Sequence, residues 1–527
     1  MANEAKDMKR RDLLKMIGAT AGGFALYNSM MAFGMLNKSD FNGAPNLTNA
    51  PKGSTVLILG AGLAGLVAAY ELKKAGYKVK ILDFNDRVGG RAWSLHGGDV
   101  YTELGGYTQK CEFDEGQYFN PGPWRIPYHH QGYLHYAREF GVQMQPFQQV
   151  NQNAYLHNSN AFGGKPQRYR EIFSDFRGHT NELLAKSINQ NQLDDSITKE
   201  NKEMLLEALK EWGALDKNYR YTGETGSHYR GWATPPGATH GPVASTPLNF
   251  DDVLSSNLWS ALNMHFNIEY ASTMFQPVGG MDQLPKAIAK DLMSDIQLSS
   301  KVIEINQDDK GVKVTYVDMA DGDKEKVETA EWCVCTIPFS VLAQIKNNLS
   351  RKVKDGIAAV HYATSFKAGV QFKRRFWEED EQIYGGITFT DLDIGQISYP
   401  SDQYFSKGKG VVLAAYQFGI NSFDFSARTP ENRMAKVMED FTKIHPQAKE
   451  EFDNGISVAW HRNPATLGCY GLWTDTTRDK HFKDVSTMDN RVVLAGEHVS
   501  YIPAWQEGAI LSSLEAIRQL NDRASKK

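Results

Sequence analysis

Apolar residues recur along this chain in two rhythms, and the switch between them marks its elements. Val56-Leu57-Ile58-Leu59 is an unbroken apolar run of strand length. It leads straight into Gly60-Ala61-Gly62-Leu63-Ala64-Gly65 and then into a helical pattern that ends near Gly76. A second strand, Val79-Lys80-Ile81-Leu82, closes on Asp83. Farther along, Val411-Val412-Leu413-Ala414-Ala415-Tyr416 reads as a strand of a mixed sheet. Residues 161–276 are polar and helical in pattern, and Tyr219 to Pro247, rich in Gly, Pro, Ser and Thr, reads as loop. Near the end, Arg491-Val492-Val493-Leu494-Ala495-Gly496-Glu497-His498 is a strand running into a turn, and Ala504-Trp505-Gln506-Glu507-Gly508-Ala509 opens a last amphipathic helix.

The first of these units carries chemistry. Glycines at 60, 62 and 65 let the turn close and let backbone approach a pyrophosphate, which then sits on the partial positive charge of the helix start. Asp83 stands about 20 residues past the glycines, where a carboxylate accepts hydrogen bonds from a ribose. A GxGxxG alone says little; strand, turn, helix, strand and acid together point to a bound dinucleotide.

Length and composition narrow the setting. At 527 residues the chain exceeds what one hydrophobic core organises, so two or three domains are expected. A net charge of -4, with both signs mixed along the chain, offers no basic stripe for nucleic acid. Cys111, Cys333, Cys335 and Cys469 are too few and too irregular for a disulfide framework, a zinc site or a thioredoxin-type pair, and no metal is expected. At the amino terminus, Lys9-Arg10-Arg11-Asp12-Leu13-Leu14-Lys15 precedes an uncharged stretch from Met16 to Asn37. Residues 1–37 resemble a twin-arginine export signal, read by the twin-arginine translocation machinery and leading to the periplasm or the exterior. A membrane anchor is the alternative, against which Gly18, Gly22, Gly23, Asn28 and Ser29 count. Residues 38–51 read as a linker.

Arg87-Val88-Gly89-Gly90-Arg91 directly after the second strand, and then Glu103-Leu104-Gly105-Gly106, have no place in a nicotinamide dehydrogenase. With Pro277-Val278-Gly279-Gly280-Met281-Asp282-Gln283-Leu284, Lys301-Val302 and the two terminal motifs, they resemble the flavin monoamine oxidase family, and within it the bacterial L-amino-acid oxidases. The resemblance covers nearly the whole chain after the linker. It implies FAD as cofactor and an α/β fold: a discontinuous Rossmann-like FAD domain of the glutathione-reductase type (52–112, 277–345 and 456–524), a mixed-sheet substrate domain (113–160 and 346–455) and a helical insert (161–276). Cofactor contacts carried over onto this sequence are Gly60, Gly62, Gly65, Asp83, Arg91, Gly105, Gly106, Val302, Trp460, Glu497 and Ala509. Asn85 stands where the family often has an arginine.

The same resemblance nominates the reacting residues. Lys367, before Phe376-Trp377, falls where amine oxidases hold a water near the flavin, and a surface lysine on a strand is its alternative. Tyr470 and Trp505 match the two aromatic rings that face each other in front of the flavin. Cys469 lies where mitochondrial monoamine oxidases bond to flavin, while a buried inert thiol is the base-rate reading of a free cysteine there. His498 reads as a turn histidine rather than a base. Arg125, in Gly122-Pro123-Trp124-Arg125-Ile126-Pro127, and Tyr399, in Ile397-Ser398-Tyr399-Pro400, match the grip on a substrate carboxylate, with a guanidinium suited to two-point contact. Pairing of Arg125 with Asp114 or Glu115 is the alternative. The activity implied is oxidative deamination: an L-amino acid and oxygen give keto acid, ammonia and hydrogen peroxide. An amino-acid monooxygenase, a primary amine oxidase and a non-catalytic flavoprotein are the competing readings, and a homodimer follows by analogy only.

Overall fold

The run Val56-Leu57-Ile58-Leu59 is apolar without interruption because both of its faces are covered. It lies in the strand Thr55–Leu59, at the centre of a five-stranded sheet ordered Ile296–Gln297, Lys78–Leu82, Thr55–Leu59, Trp332–Cys335, Val492–Leu494, with every pairing parallel. Val56 and Ile58 face the helices Leu63–Lys74, Gln283–Lys290 and Gln506–Ala524; Leu57 and Leu59 face a second layer that includes a four-stranded sheet and the helix Arg351–Ala359. Strands buried on both faces lose the alternation of half-exposed ones. This computed structural model describes residues 39–190 and 198–526, so the twin-arginine segment lies outside the described residues.

A seven-stranded mixed sheet forms the second body, ordered Gln167–Arg168, Tyr155–His157, Ile387–Thr390, Gln396–Ser398, Gly410–Phe418, Ser365–Phe372, Phe452–Ala459. Its last strand pairs with Ser365–Phe372 as far as Ala459, and the chain rejoins the parallel sheet at Val492–Leu494. One face of the seven-stranded sheet carries Phe366, Ala368, Val370 and Phe372 under the helix Pro430–Ile444. The opposite face turns Lys367 and Tyr416 toward the first body. In the helical insert, Asp175 is fully buried and accepts from Arg230, Tyr221 and the Leu248 amide, which closes the helices on one another.

Two sequence readings change. Residues 39–51 have no regular structure, yet they are strapped down rather than free: Ser39 donates to Glu507, Asn521 donates to the Thr48 carbonyl, and Phe41, Leu47 and Ala50 pack on the core. Within 219–247, Gly223–Arg230 is helical and capped by the Thr222 hydroxyl. Its glycines are used for packing, since a Cβ at Gly226 would lie 2.6 Å from the Tyr221 hydroxyl.

The two bodies are tied by a buried charge cluster. Glu103 and Arg433 are wholly inaccessible and meet in a two-point bond, Nη1 to Oε2 at 2.8 Å and Nη2 to Oε1 at 2.6 Å, and Arg462 Nε lies 2.9 Å from Oε1. Breaking such a pair from one side strands a buried charge. Arg433→Met is therefore expected to destabilise the protein by about 3 kcal/mol, read as a lowered thermal midpoint; an unchanged midpoint would mean that the cluster contributes no net stability.

Candidate active site

A cavity of about 730 Å³ reaches from the glycine turn to Arg125 and is lined by both bodies. At its first end the helix Leu63–Lys74 begins with no side-chain cap on Gly62 and no acid in its first turn, so its amide donors face the cavity unopposed. The three glycines are demanded by different things. A Cβ at Gly65 would lie 1.9 Å from the Gly60 carbonyl oxygen, and Gly60 itself has φ +114°. Gly62 differs, because a Cβ there would meet no protein atom and would project into cavity space. Asp83 accepts from the Ala61 amide at 2.6 Å and from Asn85 amide and side chain at 2.8 and 2.9 Å, and burial raises its pKa. Asn85 thus orients the acid. Along the same wall, Ser300 to Ile303 line the cavity where a bulge between Val302 and Glu304 frees backbone from the ladder.

The middle of the cavity is set by Arg91 and Glu497. Arg91 Nη1 donates to Glu497 Oε1 and to the Cys469 carbonyl, both at 2.7 Å. Burial pushes the Glu497 carboxyl up, but Arg91 and the neighbouring donors outweigh it and hold the pKa at about 2. The Ala504 amide donates to the same carboxylate, which pins the turn entering the last helix. That helix also starts without a side-chain cap on Trp505. Gln506 and Ala509 line the cavity, and both polar atoms of the Gln506 amide are buried without a partner.

At the far end the loop Pro121 to Arg125 is held from two sides. Trp460 Nε1 donates to the Pro121 carbonyl at 2.8 Å, and Lys367 Nζ donates to the Gly122 carbonyl. Trp124 then stands between two basic side chains, with Lys367 Nζ 3.9 Å and Arg125 Cζ 4.7 Å from its ring. Arg125 is only 5 % exposed, lies 4.5 Å from the Tyr270 ring and donates to Gln149 Oε1 at 2.8 Å. Lys367 is buried against Tyr416 as well, at 4.4 Å, and among the described residues no carboxylate pairs with it. Burial, with Arg125 nearby, drives its pKa well below the usual lysine range. Tyr470 and Trp505 line the same end.

The chain belongs to the flavin-containing amine oxidoreductases. That family's model matches residues 63–521. The L-amino-acid oxidase of Bothrops atrox is 30% identical over 492 residues, covering 91% of this chain and 90% of its own. That of Siganus canaliculatus is 27% identical over 485 residues, covering 91% and 87%. Among solved structures, wild-type putrescine oxidase bound to putrescine superposes with a TM-score of 0.57 at 18% identity, over 90% of this chain and 99% of that one. Cyclohexylamine oxidase from Brevibacterium oxydans gives 0.57 at 15%, over 90% and 99%. These two likenesses concern the fold, which is mixed α/β of the flavin amine oxidase kind. FAD is the cofactor. The cavity fits it on this chain's own terms: an uncapped helix start behind a glycine whose side-chain space is empty, a carboxylate at the next strand end, and an orphaned glutamine amide beside the last helix.

Several nominated residues occupy other places. Tyr399 is turned away: it shares the Ile397 face of its strand, under the helix Pro430–Ile444, with its hydroxyl 2.6 Å from His445 and 2.9 Å from Thr388. Period-two alternation puts it on the sheet face opposite Lys367. Gly105 and Gly106 do not line the cavity. They make the turn between the strands Val100–Thr102 and Thr108–Lys110 at φ +95° and +86°, and Leu104 lines the cavity instead. Gly65 acts through helix packing. Burial lowers the His498 pKa, and its ring packs at a tilt against Phe339, away from the cavity. Cys469 does line the cavity, and burial pushes its thiol up, against thiolate formation. Trp124, Gln149, Tyr270 and Tyr416 went unnoticed in the sequence, because an isolated aromatic or amide carries no spacing signal.

Two outcomes follow. Gly62→Ala, at φ −72°, is expected to leave the thermal midpoint of the FAD-free protein unchanged while weakening FAD binding roughly tenfold or more; Gly65→Ala, which collides with backbone, should instead lower that midpoint. Equal effects of both on the FAD-free protein would refute the division of roles. For Lys367 the unfolded chain binds the proton that the folded one refuses, so stability must rise with pH up to the unfolded pKa, by at most about 1.4 kcal/mol per unit. Lys367→Met removes that slope and raises the midpoint at neutral pH, which thermal unfolding across pH measures.

Proposed function

We propose that this protein oxidises L-amino acids with oxygen, giving an imino acid that water converts to keto acid and ammonia, together with hydrogen peroxide. The observation that carries this reading is Arg125: a guanidinium 5 % exposed, framed by Trp124 and Tyr270, lining the same cavity as Lys367, Tyr470 and Trp505. A buried guanidinium beside a binding space favours a carboxylate ligand, which its planar fork can meet at two points. It repels an ammonium. The full-length likeness to proteins named L-amino-acid oxidases supports the same substrate class.

FAD, when bound, supplies the two-electron acceptor that oxygen later restores. Gly60, Gly62, Leu63, Ala64, Asp83, Arg91, Val302, Glu497 and Ala509, all lining the cavity, would hold it. Arg125 takes the carboxylate, and the rings of Tyr470 and Trp505 confine the substrate and exclude water. Oxidation of a carbon–nitrogen bond needs the amine neutral. Burial drives the Lys367 pKa well below the usual lysine range, which favours the neutral amine at the cavity wall, where its nitrogen can hold a water. The likeness in fold to putrescine and cyclohexylamine oxidases favours a primary amine as the second reading, and the buried Arg125 guanidinium beside Trp124 argues against it. We also propose export by the twin-arginine route, on the motif Lys9-Arg10-Arg11-Asp12-Leu13-Leu14-Lys15.

Anaerobic titration of the flavoprotein with L-amino acids and simple amines should bleach the flavin for amino acids alone, and readmitted oxygen should yield peroxide and keto acid in equal amounts. Arg125→Met should raise KM for amino acids roughly a hundredfold, the cost of an unpaired substrate carboxylate. Bleaching by amines alone, or tolerance of Arg125→Met, would overturn the substrate assignment; amide and carbon dioxide as products would make the protein a monooxygenase.

A further inference from the structure

Behind Trp505 the chain gathers three residues that the oxidation does not use. His129 and His130 follow the strand Ile126–Pro127 and lead into the helix Gln131–Glu139, while Glu269 sits in the single turn Ile268–Tyr270. All three side chains are shut away from solvent. One ligand atom from each lies within 4.8 Å of the others. Glu269 Oε2 is 3.2 Å from His130 Nε2 and 3.5 Å from His129 Nε2, and the two imidazole planes stand at 89°.

These contacts are not hydrogen bonds. None of the six polar side-chain atoms of the three residues has a hydrogen-bond partner, because the ring N–H directions miss the carboxylate. Two imidazoles and a carboxylate, buried, in contact and without a protein hydrogen-bond partner, depart from the rule that buried polar groups are satisfied. A tetrahedral zinc ion with bonds of about 2.0–2.2 Å sets its ligand atoms roughly 3.3–3.5 Å apart, and its bonds leave each nitrogen along the lone pair rather than toward the neighbouring ligand. The two carboxylate–imidazole spacings, 3.2 and 3.5 Å, match that arrangement. Nitrogen ligands disfavour calcium and magnesium. None of the three residues lines the cavity, so no reactant reaches them from it and the ion's part is structural.

We propose that His129 Nε2, His130 Nε2 and Glu269 Oε2 bind one zinc ion, with a water as the fourth ligand. Its position gives it a consequence for the cavity. Arg125 lies four residues before His129, and Tyr270, whose ring is 4.5 Å from Arg125, follows Glu269 directly. The His130 ring also meets Trp505 edge-on at 5.0 Å. The ion thus clamps the segment carrying Arg125 to the turn carrying Tyr270, whatever the substrate proves to be.

The test uses the full chain with FAD bound and no histidine tag, soaked in zinc and then dialysed against metal-free buffer. Elemental analysis should find about one zinc per chain, and Glu269→Gln and His130→Gln should each lower it roughly tenfold or more with FAD content unchanged. Cobalt(II) in place of zinc should give the intense visible bands of tetrahedral nitrogen–oxygen coordination, a readout on the unmutated protein that stands even if a variant fails to fold. Less than about a tenth of an equivalent of zinc in the unmutated protein, full retention in both variants, or only the weak spectrum of octahedral cobalt would each overturn the proposal.

Discussion

The carbonyl oxygen of Gly60 and the missing side chain of Gly65 set the frame for everything else. A Cβ at 65 would stand 1.9 Å from that oxygen, so the helix Leu63–Lys74 can lie against its strand only with glycine there. That closeness aims the helix start, uncapped and without a nearby acid, into the cavity between the two bodies. It also leaves Gly62 facing space that the protein does not fill. The turn therefore spends conformational freedom on closeness at two glycines and on vacancy at the third, and the vacancy is where an anionic cofactor is favoured.

A chain that visits the parallel sheet three times needs ties that do not depend on local sequence, and buried acids provide them. Glu103 reaches Arg433 and Arg462 from a hairpin turn. Glu497 joins Arg91 to the Ala504 amide. Glu507, in the first turn of the last helix, accepts from the Gly132 and Tyr133 amides and from Ser39. Each link spans hundreds of residues, so each is paid for with loop closure and repaid only in the assembled molecule. Apolar burial is indifferent to register; a charge that must find its counterpart is not.

Much of the first body was legible. The unbroken run at Val56, the three glycines and the acid at 83 occupy consecutive positions whose spacing has one economical explanation. The substrate end was legible only in part. Lys367 stood out through its neighbours, and period two on the same strand places it opposite Phe366 and Ala368. Tyr399 was misplaced because a tyrosine before proline fits either face of a strand, and its parity is set by Ile397 and the helix above, which lie in tertiary structure. A bulge opposite Ala368 adds a residue in the strand Gly410–Phe418, shifting parity so that Tyr416 rather than Ala415 turns to the cavity. Sequence periodicity cannot anticipate such a step.

The arrangement around Trp124 joins both bodies in one electrostatic problem. Two basic side chains flank a single indole, at 3.9 and 4.7 Å, in a buried wall. Two full charges there would repel strongly, since the low local dielectric that strengthens attraction strengthens repulsion too. The structure resolves this by asymmetry. A guanidinium is not deprotonated in a protein, so it is the Lys367 amine whose pKa gives way, falling well below the usual lysine range. Burial and the neighbouring guanidinium act in the same direction on that amine. The result is a cavity end with a guanidinium and an amine of lowered pKa across an aromatic ring, a setting that favours an anionic group over an ammonium ion.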